Sequence, residues 1–260
     1  MSGLLESTLV AFDIDGVIRD VAGSYRRALM DTVEHFSAGR FRPTMADIDA
    51  LKAEGRWNND WHCALELLRR YRVQPAVALP DLDDLIAFFQ SRYFGEQPDY
   101  RDGYIAGEPL LATAEHFTIL GTAGVHWGFV SGAERASALY ILVDQLGLTN
   151  PPLVAMGEAP DKPNPAGLFK LRALFEYPQQ IFYLGDTVAD MHTVQQARTL
   201  DTQRRYRAIG VLPPHILAVQ TDEPERVESY CDQLRVAGAE AVWPGLPAPG
   251  QLIKQLVALG

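Results

Sequence analysis

Asp13 and Asp15 stand at the end of an apolar run, in Thr8-Leu-Val-Ala-Phe-Asp-Ile-Asp-Gly-Val17. A pair of carboxylates in that place can hold a hard cation such as Mg²⁺ through oxygen and divide the work of nucleophile and general acid/base. Alternate residues of an extended backbone point to one side, so the two acids are expected to share a face. Gly16 then lets the chain turn away. D-x-D-G by itself suits a strand closed by turn-forming acids equally well.

Three further segments carry groups of matching chemistry. In Trp127-Gly-Phe-Val-Ser-Gly-Ala-Glu134, a strand-like run ends in Ser131 and Gly132 before a helical pattern. The hydroxyl and the free amides of a helix start suit an anion, and Ser131 equally suits a helix cap. In Gly157-Glu-Ala-Pro-Asp-Lys-Pro-Asn-Pro165, Lys162 sits among three prolines. A stiffened loop places its ammonium at little entropic cost, as a partner for Asp13 or as a solvated loop charge. In Ile181-Phe-Tyr-Leu-Gly-Asp-Thr-Val-Ala-Asp190, Asp186 follows a buried run and Asp190 comes four residues later. Two carboxylates there suit Mg²⁺, or alternatively an N-cap and a first-turn charge.

The elements that must position these groups follow from periodicity. Strand-like runs fall at 8–13, 125–130, 152–156, 180–184 and 206–211, with helical patterns at 134–146, 165–175 and 187–198. In the first of these helices Leu139, Leu142, Val143 and Leu146 fall on one face, and Gly147 ends it. Strands alternating with helices predict an α/β fold with a doubly wound parallel sheet, which places ligands at the carboxyl ends of its strands. Residues 17–108 differ, with helical patterns near 24–37, 45–54, 60–71 and 82–94 and no clear strand. Trp61, Leu65 and Leu68 form one apolar stripe, and Leu82, Leu85, Ile86 and Phe89 another. The expected organisation is a core of 1–16 and 109–260 with a small α-helical domain, 17–108, inserted after the first strand.

Composition narrows the function classes. The chain has 260 residues, 47% of them hydrophobic, and a net charge of −10. It can bury a core, and it is a poor match for sequence-independent nucleic-acid binding. Cys63 and Cys231 lack C-x-x-C spacing, which argues against a zinc site or disulfide scaffold. The six histidines show no ligand spacing. The start lacks the basic end and apolar stretch of a signal peptide, and no run reaches the length of a membrane span. The expected setting is cytoplasmic, with no membrane or nucleic-acid partner. Oligomeric state stays open.

Acid pair, hydroxyl, lysine and acid pair, at the ends of successive strands, resemble the four motifs of the haloacid dehalogenase (HAD) superfamily. The matching segments are Asp13-x-Asp15-Gly16-Val17, Ser131, Lys162-Pro163-x-Pro165 and Gly185-Asp186-x-x-x-Asp190. The insertion is similar to that family's C1 helical cap, so the resemblance covers essentially the whole chain. It implies a Rossmann-like core and Mg²⁺-dependent hydrolysis of a small phosphate monoester. Asp13 would attack phosphorus to give an aspartyl-phosphate, and Asp15 would act as acid and then base. Mg²⁺ would be held by Asp13, the Asp15 carbonyl and Asp186, with Asp190 ligating or orienting a bound water. Ser131 and the Gly132 amide would hold phosphate oxygens, and Lys162 would neutralise Asp13 and the phosphoryl group.

Asp15 separates the reactions within that family. The 2-haloacid dehalogenases and the phosphonate-cleaving members typically lack a second aspartate there. A phosphomutase retains it and is the alternative to a phosphatase; a non-catalytic binding protein that kept the fold is a third possibility. The small phosphorylated substrate is expected to be chosen by the cap. Its best candidate is Gly55-Arg-Trp-Asn-Asn-Asp-Trp61, in which Arg56, Asn58 and Asn59 offer donors and Trp57 a flat face. Asn59 or Asp60 can instead cap the next helix while Trp61 packs inside. Arg19, Tyr25 and Arg26 suit either the cleft or the surface.

Overall fold

The computed structural model describes residues 7–57, 59–71, 78–97, 102–176 and 178–260. The chain forms two compact units, Met1–Asp20 with Leu110–Gly260, and Val21–Pro109.

The first unit is built on six parallel strands: β1 (Thr8–Phe12), β2 (His126–Val130), β3 (Leu153–Val154), β4 (Gln180–Gly185), β5 (Arg205–Val211) and β6 (Ala241–Trp243). Their order is β3-β2-β1-β4-β5-β6, with Phe12 in register with Phe129 on one side and Leu184 on the other. This is the doubly wound α/β sheet expected from the strand and helix alternation. Winding runs outward in one direction through β2 and β3 and in the other through β4, β5 and β6. The topological switch therefore lies at β1 and β4, at whose carboxyl ends sheets of this type place their ligands.

Side-chain alternation sorts the core into two layers. Val10, Phe12, Phe129, Phe182 and Leu184 pack on one face with Phe117, Leu142 and Leu252 from the helical segments beneath. Leu9, Ala11, Ile181 and Tyr183 pack on the other with Leu168 and Leu171 from the helix Ala166–Arg172 and with Met191 and Val194 from the helix Val188–Leu200. A strand buried on both faces reads as a continuous apolar run, which is why Leu9–Phe12 carries no polar alternation.

The first unit extends past Gly16 to Asp20 for a physical reason. Val17 and Ile18 are buried in the core layer of Phe12 and Ile14, and the Ile18 carbonyl accepts from the Leu111 N–H at 2.8 Å. The segment expected as one amphipathic helix at 134–146 is a short α-helix, Arg135–Leu139, running into a π-helix, Tyr140–Gln145. Its wider turn, seen where the Leu146 N–H donates to the Ile141 carbonyl at 2.9 Å, breaks the 3.6-residue period. Ile141 and Leu142 are consequently buried, while Val143 is exposed.

The second unit is helical. Helices Tyr25–Phe36, Met45–Lys52, Asp60–Arg70 and Leu82–Tyr93 bury Leu29, Val33, Ile48, Cys63, Leu67, Leu85 and Phe89. The buried stripe of the third is Cys63, Ala64, Leu67 and Leu68; Trp61 and Leu65 are only half-buried. Arg26 is buried and pairs with Asp49 at 2.7 Å, so it is not a surface residue. Lys52 pairs with Asp60 at 2.8 Å.

Candidate active site

Four of the expected residues, Asp13, Lys162, Asp186 and Asp190, meet at the carboxyl ends of β1 and β4. Asp13 follows Leu9 and Ala11 in alternation, and its N–H still pairs with the Leu184 carbonyl at 2.8 Å. That parity turns its side chain to the layer from which the Lys162 loop and the helix Val188–Leu200 approach. Lys162 Nζ lies 2.9 Å from Asp13 Oδ1 and 2.7 Å from Asp190 Oδ1. Asp13, Lys162, Asp186 and Asp190 are all buried, as is Ser131. Lys162 is therefore no solvated loop charge. The Lys162–Pro163 bond is cis.

Electrostatics at the site is a contest between burial and pairing. Burial is the largest influence on Asp13 and lifts its carboxyl from 3.8 to about 7. Lys162 pulls it down, while Asp190 and Asp15 push it further up. For Lys162, burial opposes the charge, but Asp13 and Asp190 outweigh it and hold the ammonium well above its ordinary range. One lysine thus offsets part of the charge of several acids.

This donor set fits a divalent cation. Oxygens of Asp13, Asp186 and Asp190 lie within 4.8 Å of one another. Asp13 Oδ1 is buried and, despite its ion pair, receives no aligned hydrogen bond among the described residues. Several buried carboxylates sharing one lysine offer the hard, negatively charged oxygens that Mg²⁺ or Ca²⁺ selects.

Asp190 is differently placed from its neighbours. Its Oδ1 accepts from Lys162 at 2.7 Å and from the Tyr183 hydroxyl at 3.2 Å. Its Oδ2 accepts from the Thr187 N–H at 3.0 Å and the Thr187 hydroxyl at 2.7 Å. Thr187, not Asp186, is the N-cap of the helix, and Asp190 closes a capping box with it. Both Asp190 oxygens are thus engaged in holding Lys162 and the helix start.

Ser131 lies just beyond β2, its N–H bonded to the Val154 carbonyl at 3.0 Å. Its hydroxyl accepts from the Ala133 N–H at 3.1 Å, and the helix N-cap is Glu134, so Ser131 shapes the Gly132 loop instead of capping the helix. Asp15 lies beyond the strand itself. The strand ends at Phe12, and the N–H groups of Val17, Ile18 and Arg19 all converge on the Ile14 carbonyl. A turn, not a strand, therefore aims Asp15, and its Oδ1 accepts from Arg19 Nε at 2.6 Å.

Gly16 is required by space as well as by backbone. Its φ is +75°, and a Cβ there would fall 2.2 Å from Asp186 Oδ2. Gly16→Ala should therefore displace Asp186, on top of about 1–2 kcal/mol of left-handed backbone strain. Misplacement on the scale of 1 Å costs catalysis roughly 10²-fold, to be checked by turnover of an aryl phosphate beside a thermal melt.

In the helical unit, Asn59 is the N-cap of the helix Asp60–Arg70, accepting from the His62 N–H at 3.1 Å. Arg56 is 69% exposed, pairs with Glu54 at 3.0 Å and lies over Trp57. Asn58 lies outside the described residues. Sequence reasoning passed over Tyr183 and Thr187. Tyr183 reads as one more apolar strand residue, whereas Thr187-x-x-Asp190 is a capping-box spacing that was open to detection.

No helix among the described residues is long and apolar enough to cross a membrane. Among curated proteins, an imidazoleglycerol-phosphate dehydratase of Phytophthora nicotianae is 28% identical over 262 residues, covering 95% of this chain and 52% of that protein. The chain thus spans about half the length of this relative. Phosphatase Tt82 from Thermococcus thioreducens is 21% identical with a TM-score of 0.57, covering 76% of this chain and 91% of its own. A HAD hydrolase from Entamoeba histolytica is 13% identical with a TM-score of 0.62, covering 97% and 98%. At these identities the likeness shows a shared fold. The haloacid dehalogenase-like hydrolase model matches residues 8–198, a stretch that holds the acid cluster, Ser131 and Lys162, and the chain belongs to that family.

Proposed function

We propose that this protein hydrolyses a small phosphate monoester with the help of Mg²⁺, through an aspartyl-phosphate on Asp13. The observation that carries this reading is the buried Asp13 carboxylate, 2.9 Å from Lys162 and grouped with Asp186, with an oxygen that receives no aligned hydrogen bond among the described residues. Asp13 and Asp186, with the Asp15 carbonyl, would hold Mg²⁺, which supplies positive charge against the phosphoryl oxygens. Asp190 belongs to the support of Lys162, because both of its oxygens are engaged.

The protein's own groups divide the work as follows. Asp13 attacks phosphorus, and the leaving oxygen takes a proton from Asp15. Lys162 balances the charge that gathers on Asp13 and the phosphoryl group, a contribution worth most in a water-poor site. Ser131 and the Gly132 amide hold phosphate oxygens. Asp15 then draws a proton from the water that cleaves the intermediate, freeing Asp13. Arg56, Asn58 and Asn59 are proposed to choose the leaving group; for Asn59 this leaves only the amide nitrogen, since its oxygen caps the helix.

The test is release of inorganic phosphate from p-nitrophenyl phosphate and from a panel of phosphorylated metabolites. Imidazole-bearing phosphate esters belong in that panel because of the relative matched over half its length. Movement of phosphate to a second hydroxyl without its release would identify a phosphomutase instead. Activity is expected to vanish in excess EDTA and return with Mg²⁺. Ca²⁺ should inhibit, because it takes the same carboxylates in a larger, less regular oxygen shell. Full turnover in EDTA would remove the metal from the mechanism.

A further inference from the structure

Arg19, at 1% exposure, is with Arg26 one of the two largest fully buried side chains among the described residues, yet nothing in the reaction above uses it. It stands four residues after Asp15, and the turn between them closes with the Gly16 N–H donating to the Arg19 carbonyl at 2.9 Å. Its Nε donates to Asp15 Oδ1 at 2.6 Å, and Nη1 and Nη2 each lie 3.3 Å from Ser137 Oγ. Ser137 is itself buried, on the helix Arg135–Leu139 that follows the Ser131 loop. The guanidinium thus ties the Asp15 turn to the helix after the proposed phosphate-binding loop.

Burying a guanidinium is costly unless it is paired, and an aliphatic side chain would fill the same space without that cost. What arginine adds is direction, since its planar fork fixes the partner's orientation where a lysine would not. Asp15 is 23% exposed, and its Oδ1 is held by Arg19 Nε, so the guanidinium fixes the carboxyl while part of it stays open to solvent. We infer that Arg19, seated on Ser137, is the positioning residue that aims Asp15 in its acid/base role. This rests on the phosphatase reading above.

The test uses the full chain with Mg²⁺ and two probes, p-nitrophenyl phosphate and phenyl phosphate, whose leaving groups differ in their need for a proton. In Arg19→Lys, the initial burst of p-nitrophenol should stay within about threefold of the parent. Turnover of phenyl phosphate should fall roughly 10²-fold, with KM little changed. Ser137→Ala, a milder change, should show the same selective loss at smaller size and decides the matter if Arg19→Lys does not fold. Equal loss on both probes, or no loss on either, in a folded variant of an active parent overturns the inference alone. Absence of turnover by the parent overturns the phosphatase reading and the inference with it.

Discussion

Asp13→Asn is expected to reduce turnover on the order of 10⁴-fold or more, the scale seen when a covalent nucleophile is removed. The same change should leave the metal-free fold intact or slightly firmer. Burial lifts the Asp13 carboxyl to about 7, so above that pH the folded protein holds a charge its surroundings disfavour. An amide removes that burden at nearly constant volume, and Lys162 keeps Asp190 at 2.7 Å. A melting temperature at pH 8 without metal that equals or exceeds the parent's, together with lost activity, is the expected pair of results. Residual Mg²⁺-dependent turnover near the parent's level would show that Asp13 is not the nucleophile.

Asp15→Asn should separate the two chemical steps. It withdraws both the proton donor for a poor leaving group and the base for water, assistance typically worth ~10²–10⁴-fold. Phenyl phosphate turnover should collapse. p-Nitrophenyl phosphate, whose leaving group needs little protonation, should give a burst of nitrophenol and then a slow steady state. The asparagine oxygen can still accept from Arg19 Nε, but the ionic part of that contact is lost. A stability loss of about 1–2 kcal/mol should accompany the kinetic change. Equal loss on both substrates without a burst would contradict the acid/base role.

How much of this was open to sequence reasoning depends on whether the cause is local. Leu9–Phe12 followed by Asp13 announces a buried strand and its carboxyl end, because burial on both faces writes itself as an unbroken apolar run. Lys162 among prolines and Gly185-Asp186 are legible for the same reason: backbone chemistry and residue type lie together. Other features come from partners distant in sequence. Arg19 suits the cleft or the surface equally until Asp15 and Ser137 are seen around it. Tyr183 belongs to the site only because Asp190 returns to meet its hydroxyl. β6, Ala241–Trp243, is too short to show a period, and the π-helix Tyr140–Gln145 breaks the period that a helix reading assumes. Asp15 stays close enough to Asp13 to act on its charge, but it is held by a turn gathered on the Ile14 carbonyl, which strand alternation alone does not foresee.

The most direct test of covalent chemistry at Asp13 is to find the phosphoryl group on the protein. Asp15→Asn enzyme, mixed with p-nitrophenyl phosphate and Mg²⁺ and quenched in acid during the burst, can be digested and mapped by peptide mass spectrometry. The mechanism predicts close to one phosphoryl group per chain, on the peptide that carries Asp13. A burst without phosphorylated peptide, or a phosphoryl group placed on any other residue, would contradict it.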